Sequence, residues 1–192
     1  MAPVNPIRVT ERTQTLAAEI LKPGDIAIDA TAGKGRDSAF LAMAVGPQGH
    51  VHAFDVQAEA ITATQNLIDS AGLNSTVTLH HRSHAEISEA LPAAHQHKVG
   101  AVLFNLGYLP GSDQKIVTLP ASTSLALQAA RDQIRSGGRI ICVTYTGHPG
   151  GTDESNAVLQ FAVASEKEGY TISKVGYFPD SPKPWILVVT RK

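Results

Sequence analysis

Cysteine is almost absent from this sequence, and its scarcity excludes a fold stabilised by internal disulfides. Among the 192 residues there is 1 cysteine, Cys142, which lies within the apolar run 140–143. A buried, unpaired thiol is typical of proteins that work in a reducing compartment. We therefore expect a cytoplasmic protein.

Long hydrophobic runs and a large excess of one charge are missing as well. No apolar stretch approaches the ~20 residues that a membrane span requires, and residues 1–14 lack the apolar core of a signal peptide. We therefore expect no membrane association. The formal net charge is -1, so no overall basic field indicates a nucleic-acid binder, although a local patch of Lys and Arg would suffice for RNA.

The sequence does contain short apolar runs that alternate with helical patterns. The runs 25–30, 50–56, 76–81, 99–106 and 139–146 predict strands, and the stretches 37–45, 58–71, 84–94, 122–135 and 154–169 predict helices. Apolar residues at successive positions indicate strands buried on both faces, and alternating β and α units indicate a parallel, doubly wound sheet. No repeat or linker divides the chain, so we predict a single domain over residues 1–192.

The two last strand-like runs, 170–178 and 185–190, depart from this alternation. The connection between them is too short for a crossover helix, so the two strands should be antiparallel neighbours. A mostly parallel sheet closed by an antiparallel hairpin is the arrangement of Rossmann-like class I methyltransferases, and ordinary dinucleotide-binding dehydrogenases lack it. The sequence therefore predicts an α/β fold of that class, with a seven-stranded sheet.

A glycine-rich turn follows the first strand at 29–38. Gly33 and Gly35 allow a sharp turn and a close approach of a ligand to the backbone, and Asp37 and Ser38 can cap the next helix. The turn lacks the spacing of a P-loop, and Ser38 stands where a dinucleotide-binding motif has its third glycine. A plain tight turn is the alternative interpretation.

Two carboxylates make this turn more specific. Asp29 ends the first strand, and Asp55 ends the second at the ~20-residue offset where a carboxylate binds ribose hydroxyls. NAD would use Asp55, but its pyrophosphate would be repelled by Asp29, whereas the ammonium and sulfonium of S-adenosylmethionine would be attracted. The charges favour S-adenosylmethionine as cofactor, and an NAD-dependent oxidoreductase remains the alternative from another class.

Residues 105–113 leave the fourth strand at the expected switch point between the first and fourth strands, where doubly wound sheets bind ligands. Asn105 can accept a hydrogen bond from an amine and so direct the amine lone pair at a methyl group. Tyr108 offers a face on which a base can stack. Asp113 and His148 are candidate proton acceptors. The alternatives are a turn rich in Gly and Pro, and a loop histidine bonded to backbone.

Other histidines follow the third strand. Ser83 and His84 lie where the adenine ring of such a cofactor is expected. His95 and His97 have the spacing of a metal-binding pair, but no further ligands have suitable spacing, so we expect a solvated loop and no metal.

Five segments together resemble a family of small class I methyltransferases, many of which are labelled putative rRNA methylases. The segments are DATAGKGRD, AFDVQ, SHAE, FNLGYLPGSDQKIVT and YTGHPGG with Glu at its third following position. Characterised members methylate the aminomethyl group of 5-aminomethyl-2-thiouridine at the wobble position of tRNA. The chain departs from the family at Lys34, Arg36 and Ser38, where members commonly have Asn, His and Thr, and between 178 and 185, where it lacks the usual Asn.

The resemblance implies which residues form the site. Asn105, Gly107, Tyr108 and Asp113 would lie beside the methyl group, with Tyr145 and His148 in the substrate pocket. The residues expected to bind the cofactor are Asp29, Thr31, Gly33, Gly35, Asp37, Asp55, Gln57, Ser83, His84, Asn105 and Gly107.

The resemblance also implies tRNA as the partner, with N-methylation of its wobble uridine as the activity. The alternative activities are methylation of rRNA and methylation of a small molecule. The chain could also form a homodimer. If RNA is the substrate, we expect its phosphates to contact basic residues that flank the cleft, namely Arg8, Arg12, Lys34, Arg36 and Lys115.

Overall fold

The computed structural model describes residues 6–107, 117–147, 149–176 and 184–192, and of residues 6–8 it describes the backbone alone. The strands are β1 (Ile26–Asp29), β2 (His50–Asp55), β3 (Val77–His81), β4 (Val99–Asn105), β5 (Ile134–Thr144), β6 (Thr171–Val175) and β7 (Trp185–Thr190). The helices are α1 (Pro6–Ala18), α2 (Arg36–Val45), α3 (Ala58–Ala71), α4 (Ile87–Ala90), α5 (Pro120–Gln133) and α6 (Gly151–Lys167), and a 3₁₀ turn, His84–Glu86, precedes α4.

All of these strands form one sheet in the order β3-β2-β1-β4-β5-β7-β6. The pairs among β1 to β5 are parallel, whereas β7 is antiparallel to both β5 and β6. This arrangement confirms the predicted α/β fold with a C-terminal antiparallel hairpin. From β1 to β3 successive strands are added on one side of β1, and β4 and β5 are added on its other side. The carboxyl ends of β1 and β4 therefore form the switch point of the sheet.

Alternate residues of the strands supply the two apolar layers of the core. On one face, Ala27, Val51 and Ala101 pack with α1 and α2. On the other face, Ile28 and Val102 pack with α4, α5 and α6. Because both faces of β4 are covered, its first six residues are all buried, and only Asn105 at its carboxyl end is exposed.

The predicted helix 84–94 is wrong in its extent. The chain there forms the 3₁₀ turn and the short α4, and Leu91 after α4 is extended, with φ -74° and ψ 129°. Pro92 explains this end, because a proline disfavours helical backbone at the residue before it.

Helix α1 lies outside the elements predicted from the sequence. Its buried residues Val9, Thr13, Leu16 and Ala17 recur at helical spacing, which is the signal that could have identified it. This helix matters for the site, because it contacts α2 just after the glycine-rich turn.

None of the helices within the described ranges combines the length and the apolar character that crossing a membrane demands.

Candidate active site

The glycine-rich turn connects β1 to α2 at the carboxyl edge of the sheet. Gly35 adopts φ 79° at the start of α2, and a Cβ added to it would lie 2.9 Å from the Thr64 Cα atom on α3. Both facts require glycine at this position. The Ala32 N–H donates to the Phe54 carbonyl at 2.8 Å and so attaches the turn to β2. The backbone of the predicted cofactor loop is therefore fixed by its neighbours.

Asp29 is a buried carboxylate at the end of β1, with 1% of its surface exposed. Its Oδ2 accepts a hydrogen bond from Ser38 Oγ at 2.6 Å, and its Oδ1 accepts one from the Thr31 N–H at 3.1 Å. Burial and the nearby charge of Asp37 raise the pKa of Asp29 from its ordinary 3.8 to about 7. A cation placed here would offset that cost of ionisation.

The prediction that Asp37 and Ser38 cap α2 is wrong. Gly35 occupies the N-cap position, where no side chain caps the helix. The Ser38 hydroxyl instead donates a hydrogen bond to Asp29. Asp37 Oδ1 accepts a hydrogen bond from Gln14 Nε2 of α1 at 2.8 Å. Burial raises the pKa of Asp37 as well. Gln14 thus belongs to the surroundings of the site, and no local motif in the sequence indicates it.

Asp55 ends β2 and joins the glycine turn to the start of α3. Its Oδ2 accepts the Gly33 N–H and its Oδ1 accepts the Gln57 N–H, both at 2.9 Å. Each carboxylate oxygen has a second lone pair, and Asp55 is half-buried, so hydroxyl groups of a ligand can still donate to it. Gly33, Asp55 and Gln57 are therefore brought together, as the sequence interpretation requires.

His84 begins the 3₁₀ turn after β3, with 8% of its surface exposed. Its Nδ1 lies 3.1 Å from the Ala30 carbonyl oxygen, which can only accept, so Nδ1 carries the proton and donates. Burial lowers the pKa of His84 and favours this neutral form, in which Nε2 is an acceptor. Ser83 Oγ accepts the Ala85 N–H at 3.2 Å and caps the turn. His84 thus ties this segment to the backbone that follows β1.

Asn105 lies at the carboxyl end of β4, directly beside the glycine turn. Its backbone N–H donates to Thr31 Oγ1 at 2.8 Å, so the two predicted segments are in contact. The side chain is exposed, and no residue of the described part of the chain hydrogen-bonds its amide. Asn105 therefore has a fixed backbone and an amide that can bind a ligand.

Gly107 follows at the same edge of the sheet. Its N–H donates to Thr118 Oγ1 at 2.8 Å, and Thr118 Oγ1 donates to Glu154 Oε2 at 2.7 Å. The sequence interpretation assigns no role to Thr118 or Glu154. Their contact joins positions 36 residues apart, so it depends on the tertiary fold.

Four predicted residues, Tyr108, Asp113, Lys115 and His148, and the side chain of Arg8 lie outside the described residues and stay predictions. Tyr145 is half-buried and packs against the apolar layer that includes α1 and α2.

The expectation of a solvated loop at His95 and His97 is wrong in part. His95 Nδ1 lies 2.8 Å from Nε2 of the buried His52, whose Nδ1 lies 3.0 Å from His80 Nε2. His97 is exposed but bonds the Asp132 carbonyl through Nδ1 at 2.8 Å. In the part of the chain that the structure describes, no group of three or more His, Cys, Asp or Glu side chains is arranged to hold a metal ion.

With this geometry in place, comparison with known proteins identifies the family. The family model described as "Putative rRNA methylase" matches residues 51–191, which is most of the chain. The chain belongs to this family. The resemblance that the sequence motifs predict is thereby confirmed.

Solved structures of similar proteins cover this chain along nearly its whole length. A putative rRNA-methylase from Clostridium thermocellum has a TM-score of 0.89 and 31% identity, with 96% of this chain and 97% of that chain covered. A putative methyltransferase from Streptococcus mutans, solved in complex with SAH, has a TM-score of 0.82 and 28% identity, with 95% and 97% covered. Both matches confirm the methyltransferase fold.

A curated relative has a more specific name. The "tRNA (mnm(5)s(2)U34)-methyltransferase, chloroplastic" of Arabidopsis thaliana is 39% identical over 162 residues, which are 80% of this chain and 58% of that protein. The chain thus spans little more than half the length of this relative.

Proposed function

We propose that this chain is an S-adenosylmethionine-dependent RNA methyltransferase that N-methylates the 5-aminomethyl group of the wobble uridine, or 2-thiouridine, in tRNA. Membership of the rRNA methylase family and the Streptococcus mutans relative solved with SAH support the cofactor and the reaction class. The Arabidopsis relative named for methylation at tRNA position U34 supports the nucleoside.

The residues at the carboxyl edge of the sheet fit this cofactor. Asp55 is half-buried, and its two carboxylate oxygens have lone pairs beyond those that bind the Gly33 and Gln57 N–H groups, so it can accept from ribose hydroxyls. Asp29 is a carboxylate whose ionised form is costly without a cation, and S-adenosylmethionine carries two cationic groups. When bound, the cofactor supplies a methyl group activated by its sulfonium.

The position of Asn105 is the single observation that carries the proposal for an amine acceptor. Its amide is exposed at the switch point beside the cofactor residues, while its backbone is fixed by Thr31. The amide oxygen can accept a hydrogen bond from a substrate amine and orient it, and such positioning accounts for much of the rate when the donor is already activated.

The acceptor amine must lose a proton, because a free alkyl ammonium titrates near ~10 by analogy with lysine. We propose Asp113 or His148 as the acceptor of that proton. The exposed cations Lys34 and Arg36 border the glycine turn and suit the phosphates of an RNA chain.

The test is methyl transfer by the purified protein to bulk tRNA lacking the modification, to rRNA and to a pool of metabolites. Nucleosides from each RNA are then analysed by mass spectrometry. We expect one added methyl group on 5-aminomethyl(-2-thio)uridine from tRNA and none in the other pools. Transfer to rRNA or to a metabolite alone would refute the tRNA substrate, and failure to transfer to any acceptor would refute the activity.

A further inference from the structure

Glu154 is a buried carboxylate in the first turn of α6, with 2% of its surface exposed. Its Oε2 accepts a hydrogen bond from Thr118 Oγ1 at 2.7 Å, and its Oε1 accepts one from Thr123 Oγ1 at 2.6 Å. No Lys or Arg of the described residues forms an ion pair with it. A buried carboxylate without a cation is costly to maintain, so its local contacts need an explanation.

These contacts do not serve the start of α6 itself. The Glu154 N–H donates within the helix, to the Gly150 carbonyl at 3.0 Å, while the carboxylate reaches across to residues at and just before the start of α5. The carboxylate therefore connects α6 to the segment that returns from the active-site edge.

The connection extends to Gly107 through Thr118. The Gly107 N–H donates to Thr118 Oγ1 at 2.8 Å, and the Thr118 N–H donates to the Gly107 carbonyl at 2.9 Å. The Thr118 hydroxyl donates its hydrogen bond to Glu154 Oε2 and accepts one from the Gly107 N–H. Its oxygen lone pairs then face the Gly107 N–H, and the direction of the whole chain of bonds is fixed.

In the segment 105–107, the backbone N–H of each residue donates a hydrogen bond to another part of the chain. The Asn105 N–H is bound by Thr31 Oγ1 and the Leu106 N–H by the Val143 carbonyl at 3.0 Å. Glu154, through Thr118, completes the series at Gly107. Residues 105–107 are thus fixed from three sides.

We propose that Glu154 is a positioning residue for methyl transfer: acting through the Thr118 hydroxyl, it holds residues 105–107 where Asn105 meets the acceptor amine. This inference rests on the proposed function. Glu154 itself touches no reacting atom. Its effect should appear in the rate of the chemical step more than in cofactor affinity, because small displacements of a reacting group are costly to rate.

Three variants test whether the hydrogen bonds of the Thr118 hydroxyl are needed for methyl transfer. Thr118→Val removes it, Thr118→Ser keeps it, and Glu154→Gln replaces an acceptor-only group by a nearly isosteric amide. Ser155→Ala is the matched control, because it removes a buried hydroxyl from the same turn of α6, one that accepts from Trp185 Nε1 at 3.1 Å and does not contact Thr118.

The measurements are single-turnover methylation of tRNA, the Kd for S-adenosylhomocysteine, the melting temperature and amide hydrogen exchange at Gly107. Thr118→Val and Glu154→Gln should lower the rate by about tenfold or more, with Kd changed less than about threefold. Exchange at Gly107 should accelerate in both, while Thr118→Ser should retain the wild-type values. Ser155→Ala should lower the melting temperature without changing the rate of the folded protein.

A wild-type rate in folded Thr118→Val, or equal rate losses in Thr118→Val and Ser155→Ala, would overturn the positioning role. A wild-type protein that methylates no RNA would instead overturn the proposed function, and this inference with it. The two failures therefore give different results.

Discussion

Ser38 Oγ donates a 2.6 Å hydrogen bond to Asp29 Oδ2 and so links the start of α2 to the end of β1. The bond favours the charged carboxylate, but burial and Asp37 outweigh it and raise the pKa of Asp29 to about 7. Because the folded pKa lies above the ordinary 3.8, protonated Asp29 stabilises the fold at low pH. That contribution is lost as the pH rises through about 7.

A bound cation should favour the ionised form of Asp29 over the protonated form. S-adenosylhomocysteine carries an ammonium group, so we predict that its binding near pH 6.5 releases a proton from Asp29. Its affinity should increase as the pH rises toward 8. These two pH values flank the Asp29 pKa of about 7. Calorimetry in two buffers of different ionisation enthalpy measures the released proton. Asp29→Asn should abolish the release; proton uptake, or tighter binding at pH 6, would contradict the assignment.

Asp55 should determine cofactor affinity. Asp55→Ala removes a carboxylate positioned by the Gly33 and Gln57 N–H groups, and each charge-assisted hydrogen bond to ribose that the variant lacks should cost ~1.5–3 kcal/mol. Calorimetric titration with S-adenosylhomocysteine measures the change. Asp69→Ala, on the exposed side of α3, is the control and should bind normally. A folded Asp55→Ala protein with wild-type affinity would remove Asp55 from the cofactor site.

RNA affinity should depend on salt through the cations around the glycine turn. Lys34 and Arg36 are exposed and form no ion pair with any described residue. Replacing both by Ala should reduce the slope of the salt dependence by up to ~0.9 for each phosphate that these side chains neutralise. Lys22 and Lys98, which precede β1 and β4 at the opposite edge, provide a control of equal charge. Equal effects of the two double variants would mean that the RNA does not lie at the glycine turn.

The histidines of β2 and β3 should make the fold sensitive to acid. Burial, followed by the neighbouring His50, His80 and His95, lowers the pKa of His52 from 6.5 to about 3. Since the folded pKa lies below the unfolded one, His52 stabilises the fold above pH 6.5, and this contribution is lost as the pH falls toward 3. Because the raised pKa of Asp29 acts in the opposite direction over this range, the measurement is the difference in the free energy of unfolding by urea between the wild type and His52→Gln. That difference should change by up to ~1.4 kcal/mol per pH unit as the pH falls below 6.5. A difference that stays constant between pH 7 and 5 would exclude this effect.

The fold could be predicted because β1, β4, β7 and the second half of β5 are apolar runs and because the connection after β6 is too short for a helix. The same reasoning missed α1, whose buried positions include Thr13 and are interrupted by charged residues such as Glu11 and Arg12. The apolar spacing of Val9, Leu16 and Ala17 is a weak signal in so polar a segment.

The candidate site could be predicted only where its residues follow strands. Asp29, Asp55 and Asn105 end β1, β2 and β4, and parallel strands bring those ends to one edge. Gln14 and Glu154 reach their partners from helices 23 and 36 residues away in sequence. Their contacts depend on how helices pack, which no local pattern specifies.

Single-turnover methylation of tRNA by Asn105→Ala at saturating cofactor tests the central claim most directly. Because the Asn105 amide is exposed and bonds no described residue, its removal should leave the melting temperature and cofactor affinity nearly unchanged. The rate should fall on the order of a hundredfold, since an amine displaced by ~1 Å loses its attack geometry. Asn156→Ala, at an exposed position of α6, should retain the wild-type rate. A wild-type rate in folded Asn105→Ala protein would show that the acceptor amine is not held at the carboxyl end of β4.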